Sequence, residues 1–202
     1  MKEKFLEYSI NGIKKKYPDY DEEKLEIIAY GLEALYITIT KTIVIFSIAL
    51  ILGIIKEVFL ILIFYNILRT TAFGMHAKKS SHCYIISIVL FIGMGLICKY
   101  IDINIYVKVI ISILSFITLV IYAPADTYKR PLLNEKKRRN YKIITIINGL
   151  IYLILIIVLR NNEISNYLFM GILDTSLMIH PITYRVFQLP YNNYKEYGTT
   201  RA

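Results

Sequence analysis

The chain is short of cysteine, histidine and acidic residues, and each shortage narrows what it can be. Two cysteines in 202 residues supply no disulfide framework. Cys83 and Cys98 fall near opposite ends of one predicted apolar span, roughly 22 Å apart at 1.5 Å per residue, too far to bridge. Three histidines leave little for a metal centre: His76, His82 and Cys83 match no common zinc spacing and no fourth ligand stands out, so neither metal nor cofactor is expected. The excess of 24 basic over 15 acidic residues would suit nucleic acid, but the cations sit in alternate connections between apolar blocks, which argues against that partner and for a lipid bilayer. The N-terminus stays charged and polar for about thirty residues, without the short apolar core and small-residue cleavage site of a secretory signal, so the first span is expected to double as the insertion signal. Internal repeats and low-complexity stretches are also lacking.

What the chain has in abundance is apolar residues, 56% of the total with a mean hydropathy of +0.51. Their blocks are long enough to cross a membrane, and residues 1–202 read as one polytopic domain: an all-α membrane protein of about six transmembrane helices. The spans are placed at Leu35–Ile55, Val58–Phe73, Cys83–Cys98, Ile103–Ala123, Ile143–Leu159 and Ile164–Leu189. Residues 1–34 form a cytoplasmic or interfacial helical segment and 190–202 a cytoplasmic tail. In the first of these, Phe5, Leu6, Ser9, Ile10 and Ile13 recur at helical spacing among lysines, the pattern of an amphipathic helix on a membrane surface or in solvent. Pro18 should break it, and Asp19 or Asp21 can cap a second helix with Leu25, Ile28, Leu32 and Leu35 along one face.

Orientation follows from the connections. Three of them carry single cations, Lys56, Lys99 and Arg160. The 2–3 segment has Arg69, Lys78 and Lys79, and the 4–5 loop has Lys129, Arg130, Lys136, Lys137, Arg138, Arg139 and Lys142. The positive-inside rule puts both termini, the segment around His76 and Cys83, and the 4–5 loop on the cytoplasmic side of a multi-pass cell-membrane protein. Lys41 and Lys108, near span ends, are expected to snorkel. Asp174 and His180 fall inside the last predicted span, where a structural role comes first.

His76 and Cys83 carry the candidate chemistry. A thiol is a nucleophile as the thiolate, which an imidazole, neighbouring cations and a helix N-terminus all favour. On a continuous helix residues 76 and 83 would stand two turns, about 10 Å, apart. The pair therefore needs a break, which Gly74 and Ser80-Ser81 allow. His82 is the competing base, but next to Cys83 on a helix it projects about 100° away. The bland alternative is a cysteine that simply fills space at a helix start.

A second constellation runs Tyr122-Ala123-Pro124-Ala125-Asp126 and on through Pro131 to the basic run. The prolines should end the fourth span sharply. Asp126 could orient His76 as a third group, although a helix-end carboxylate paired with Lys129 or Arg130 is the plainer reading. Lys129, Arg130, Lys136, Lys137, Arg138 and Arg139 at least enforce topology, and as a field they could also attract an acidic peptide.

Together, Arg69-Thr70-Thr71-Ala72-Phe73-Gly74-Met75-His76-Ala77 with Cys83, the Tyr122–Asp126 motif, Pro131 with its basic run, and the tail Tyr191-Asn192-Asn193-Tyr194 resemble the accessory gene regulator B (AgrB) family. These are membrane peptidases of quorum sensing in Gram-positive bacteria. The resemblance implies a cysteine endopeptidase with His76 and Cys83 as the catalytic pair and Arg69 and Gly74 in support. It further implies a small AgrD-type propeptide as substrate, an acyl-enzyme thioester leading to a cyclic thiolactone peptide, and a homodimer. The alternative is a non-enzymatic peptide exporter or carrier component; the lack of paired repeats or matching broken spans counts against it.

Overall fold

The computed structural model describes residues 2–75, 80–127 and 131–195. His76, Lys78, Lys79, Lys129 and Arg130 lie outside the described residues. Within those residues the chain is all-α, as expected, in eight helices: α1 (Lys2–Lys16), α2 (Glu22–Ile51), α3 (Ile55–Ala72), α4 (Ser80–Tyr100), α5 (Ile105–Tyr122), α6 (Glu135–Val158), α7 (Ile164–Ile179) and α8 (Pro181–Val186).

Met1–Ile48 forms one compact unit. Helix α1 buries no residue, and Glu3 in its first turn and Lys14, Lys15 and Lys16 in its last match the two ends of the helix dipole. It ends before Pro18, and Asp21 Oδ1 accepts the Lys24 N–H at 2.8 Å, capping the next helix as expected. Lys2 reaches Glu33 at 2.6 Å. The sequence suggested a separate helix before the first span. Instead α2 runs unbroken through 30 residues, because the apolar face of Leu25, Ile28, Leu32 and Leu35 continues in phase with no proline to interrupt it. It stops earlier than predicted, where Gly53 adopts a φ of +66°.

The second compact unit, Ala49–Ala202, holds the bundle. Its helices α4, α5 and α6 are long and apolar enough to cross a membrane, as is α2, most of which belongs to the first unit, while α7 is apolar but only 16 residues long. Helix α3 has 18 residues and carries Lys56, Glu57 and Arg69 within it. The predicted last span, Ile164–Leu189, is broken: α7 ends at Ile179, His180 is extended, and Pro181 opens α8. Proline cannot donate to the preceding turn and forces the residue before it out of helical geometry.

Helix α7 is the centre of the bundle. Twelve of its 16 residues are buried, with α3, α5 and α6 packed around it. Close approach is bought with glycine: a Cβ at Gly171 would sit 2.9 Å from Phe64 Cβ and 3.1 Å from the Tyr65 amide nitrogen. Several polar groups inside the bundle are paired across helices. The Tyr152 hydroxyl donates to the Phe64 carbonyl (2.8 Å) and Thr145 Oγ1 to Thr71 Oγ1 (2.8 Å), fixing α6 against α3. Lys108 does not snorkel. It is 4% exposed and donates to Asn166 Oδ1 on α7 at 2.9 Å, since a buried ammonium is tolerable only with an acceptor.

Candidate active site

Both sequence motifs lie just past helix ends, and backbone hydrogen bonds join them. After α3 ends at Ala72, Phe73 (φ 57°) and Gly74 (φ +117°) turn the chain. Phe73 then forms a parallel bridge with Ala125. The Gly74 N–H donates to the Ala125 carbonyl (2.8 Å), the Ala125 N–H to the Ala72 carbonyl (2.9 Å), and the Met75 N–H to the Met178 carbonyl near the end of α7 (3.1 Å). Three elements far apart in sequence are thus fastened main chain to main chain.

Arg69 and Gly74 are made for each other. Arg69 Nη2 donates to the Met75 carbonyl at 2.7 Å. A Cβ on Gly74 would collide with Arg69 Nη1 and come 2.9 Å from the Met178 carbonyl oxygen, in a conformation that already suits only glycine. Nη1 itself is buried with no hydrogen-bond partner among the described residues. One donor of a fixed guanidinium fork is therefore left over.

Asp126, 3% exposed, follows the cis Ala123–Pro124 peptide. Its carboxylate accepts three backbone N–H groups, from Leu132 (3.3 Å), Asn193 (3.1 Å) and Tyr194 (2.8 Å). Among the described residues no cation pairs with it. The plainer expectation, pairing with Lys129 or Arg130, falls on residues outside the described set. The tail is held at further points. The Tyr184 hydroxyl donates to the Asp126 carbonyl (3.1 Å), the Tyr184 and Tyr191 rings meet edge-on at 5.0 Å, and Arg138 stacks 3.1 Å above the Tyr194 ring. Burial pushes the Tyr191 phenol up to about 12, Tyr122, Tyr194 and Asp126 add to the rise and Arg138 opposes it, so the ring docks uncharged at neutral pH.

Cys83 lies in the first turn of α4 and is half-buried, whereas His82 is exposed. That placement agrees with a thiol at a helix start. The Tyr65 ring packs edge-on against Phe91 on α4 at 5.3 Å. Asp174 sits fully buried inside α7. His180 is not within a span: its Nδ1 accepts the Ile182 N–H at 3.2 Å, capping α8, and its ring meets Tyr122 edge-on at 5.2 Å. Lys136, Lys137 and Arg139 are exposed at the start of α6, with Arg138 half-buried against the tail. Sequence reasoning singled out neither Tyr184 nor the Met178 carbonyl. A backbone acceptor leaves no trace in sequence. The tyrosine-rich tail did signal itself, but only as a pattern.

The fold and site define a multi-pass helical membrane protein with a polar, main-chain-pinned centre at one end of its bundle. The profile described as Accessory gene regulator B matches residues 6–183, and the chain belongs to this family. It is 31% identical over 170 residues to an AgrB-like protein of Clostridium acetobutylicum, covering 84% of this chain and 81% of the relative. An AgrB-like protein of Listeria innocua is 29% identical, with 88% and 87% covered. The Accessory gene regulator protein B of Staphylococcus aureus is 33% identical over 153 residues, with 75% and 80% covered. No solved structure matches the chain at a significant level.

Proposed function

We propose that this protein is the membrane cysteine endopeptidase of a quorum-sensing system, cutting a small AgrD-type propeptide on the cytoplasmic face. The observation that carries this reading is the pinning of Phe73–Met75, the stretch leading into His76, to Ala125 and Met178. Cys83 lies in the first turn of the next helix, which begins at Ser80, so the four residues 76–79 link the fixed stretch to the helix that bears the thiol. Rigid support on both sides is what a two-residue catalytic pair requires.

In this reading His76 takes the proton from Cys83 Sγ, and the thiolate adds to the scissile carbonyl. The C–N bond then breaks, the new amine leaves with the proton held by His76, and the N-terminal part of the propeptide remains as a thioester on Cys83. A thiol within that peptide attacks the same carbonyl, closes a thiolactone and releases the Cys83 thiolate. One thioester replaces another, so no ATP is needed. Water must be kept from the acyl-enzyme, which a site at the membrane edge favours. The leftover Arg69 Nη1 donor is suited to the oxyanion that forms on attack.

The basic run fits an acidic propeptide tail. Four cations follow Glu135 at the start of α6, where the helix dipole disfavours positive charge. A cost of that kind points to an external anion.

The test is co-expression with the propeptide and mass analysis of the products. Cys83→Ala should abolish cleavage with the protein still in the membrane, and Cys98→Ala should be nearly silent. His76→Ala should remove both cleavage and fast alkylation of Cys83, while His82→Ala costs far less. Normal processing by Cys83→Ala would end the peptidase reading.

A further inference from the structure

Asp126 and the chain end share a feature that the catalytic pair does not account for. The motif carboxylate is buried, and two of its three N–H donors come from Asn193 and Tyr194, 67 and 68 residues later in the chain. Asn193 is itself fully buried, its amide donating to the Pro190 carbonyl (3.2 Å) and the Asp126 carbonyl (3.5 Å). Asn192 takes a φ of +59°, which asparagine tolerates, and this turns the chain so that two successive N–H groups face the same carboxylate. One residue before Asp126, Ala125 exchanges hydrogen bonds with Ala72 and Gly74. A continuous line therefore runs from the Tyr194 N–H to the Asp126 carboxylate, and from the adjoining Ala125 by main-chain hydrogen bonds to Ala72 and Gly74, next to Met75.

We propose that the C-terminal segment 190–194 is a strap belonging to the active site, and that Asp126 is a positioning residue acting through that strap. By holding Asn193 and Tyr194, the carboxylate fixes Ala125, and Ala125 fixes the Phe73–Met75 stretch. Charged acceptors of backbone N–H groups are strong and geometrically strict, and losing one in a buried setting is costly. Arg138 on the Tyr194 ring ties the same strap to the first turn of α6, so the strap also sets where the basic run begins. This assignment rests on the peptidase reading for its effect on cleavage. Its mechanical content, Asp126 acting through Tyr194, does not.

The experiment uses the full chain in nanodiscs, in a Cys98→Ala background, with propeptide cleavage read as kcat and KM. Cys83 alkylation by iodoacetamide is followed across pH as a second readout that needs no substrate. Tyr194→Phe, which keeps the N–H and the ring, should stay within about twofold of the parent. Tyr194→Pro, which removes the N–H that meets Asp126 Oδ2, and Asp126→Ala should each lower kcat about tenfold or more and displace the alkylation profile alike. The double variant should be no worse than the worse single one, because residues acting in one chain of contacts are not additive. Additive losses would overturn the proposal and give Asp126 a direct role at the histidine. Normal kcat and an unshifted profile in Tyr194→Pro would overturn it too, as would losses matched by a proportional fall in titratable Cys83, the mark of misfolding alone. If Tyr194→Pro fails to insert, Asp126→Asn and a chain ending at Leu189, which lacks the N–H donors of Asn193 and Tyr194, decide on the same criteria. Cys83→Ala runs alongside: if it cleaves normally, the peptidase reading falls, and the alkylation arms still decide the strap.

Discussion

Helices α3 and α7 run side by side in the same direction, and their two ends are built on opposite principles. At the starting end, Lys56 and Glu163 form a 2.6 Å ion pair with side chains 63% and 67% exposed, beside an open cleft with Asn161, Asn162 and Tyr167. At the finishing end, Gly74, Met75, Ala125 and Met178 are joined main chain to main chain beside a buried carboxylate. An exposed pair is interchangeable with water and contributes little. A buried polar assembly is expensive to disturb, because every broken contact leaves a group without its partner. Where a membrane protein concentrates such contacts, it is fixing geometry rather than adding stability.

The contrast can be broken most directly with glycine. Both ends hold one at positive φ, Gly74 at +117° and Gly53 at +66°. At Gly74 a new Cβ meets the Met178 carbonyl and Arg69, whereas at Gly53 it meets only Lys99 Nζ at 3.2 Å, the end of a long side chain that donates to the Gly53 carbonyl at 2.7 Å. Gly74→Ala should therefore abolish propeptide cleavage and cost about 2–3 kcal/mol. Gly53→Ala should cost about 1 kcal/mol and leave cleavage intact. Thermal unfolding in detergent and the cleavage assay check both, and equal effects would erase the distinction.

A smaller effect is expected from charge. Replacing the exposed Lys136, Lys137 and Arg139 with Gln, with Arg138 left on the Tyr194 ring, should weaken propeptide binding and flatten its salt dependence, with little change in the rate at saturation. Affinity titrations at low and high salt, with cysteine accessibility as the topology control, measure this. Unchanged affinity at both salt levels would reduce the run to an orientation signal.

The smallest effect belongs to the ion pair. The hydrogen bond and charge of Lys56 hold the Glu163 carboxyl below its ordinary range, and Glu163 raises Lys56. For Glu163 this means stability present above the unfolded carboxylate range and lost as pH falls through the lower folded value; for Lys56, stability present below its unfolded value and lost as pH rises through the higher folded one. Both side chains are about two-thirds exposed, so Glu163→Gln should shift unfolding within error at neutral pH and leave cleavage untouched. A marked loss of cleavage would mean that the two ends are coupled.

Much of this was legible in the sequence, and the misses share a cause. Apolar blocks located the bundle because burial follows composition. Arg69 and the Tyr122–Asp126 motif were marked out chiefly by the family resemblance, and Gly74 by that and by the chain break that a glycine allows. The break at His180–Pro181 was readable from the proline, but the surrounding apolar run outweighed it. Lys108 was assigned to the lipid surface by a rule for isolated spans, whereas its acceptor, Asn166, stands on a neighbouring helix. Asp126 was legible as important but not in its contacts, because its partners are N–H groups that every residue but proline possesses.

One fixed point on α6 has a consequence for the length of the substrate. Thr145 is bonded to Thr71 at the level where α3 finishes, yet α6 begins at Glu135. Lys136 to Arg139 thus stand on a post rising about 9 to 14 Å from that contact at 1.5 Å per residue. An extended peptide covers such a height in about three or four residues. On the proposed reading, the post is a ruler: it moors the acidic end of the propeptide a set number of residues from the carbonyl that is cut, and lengthening or shortening that spacer should shift the bond that breaks.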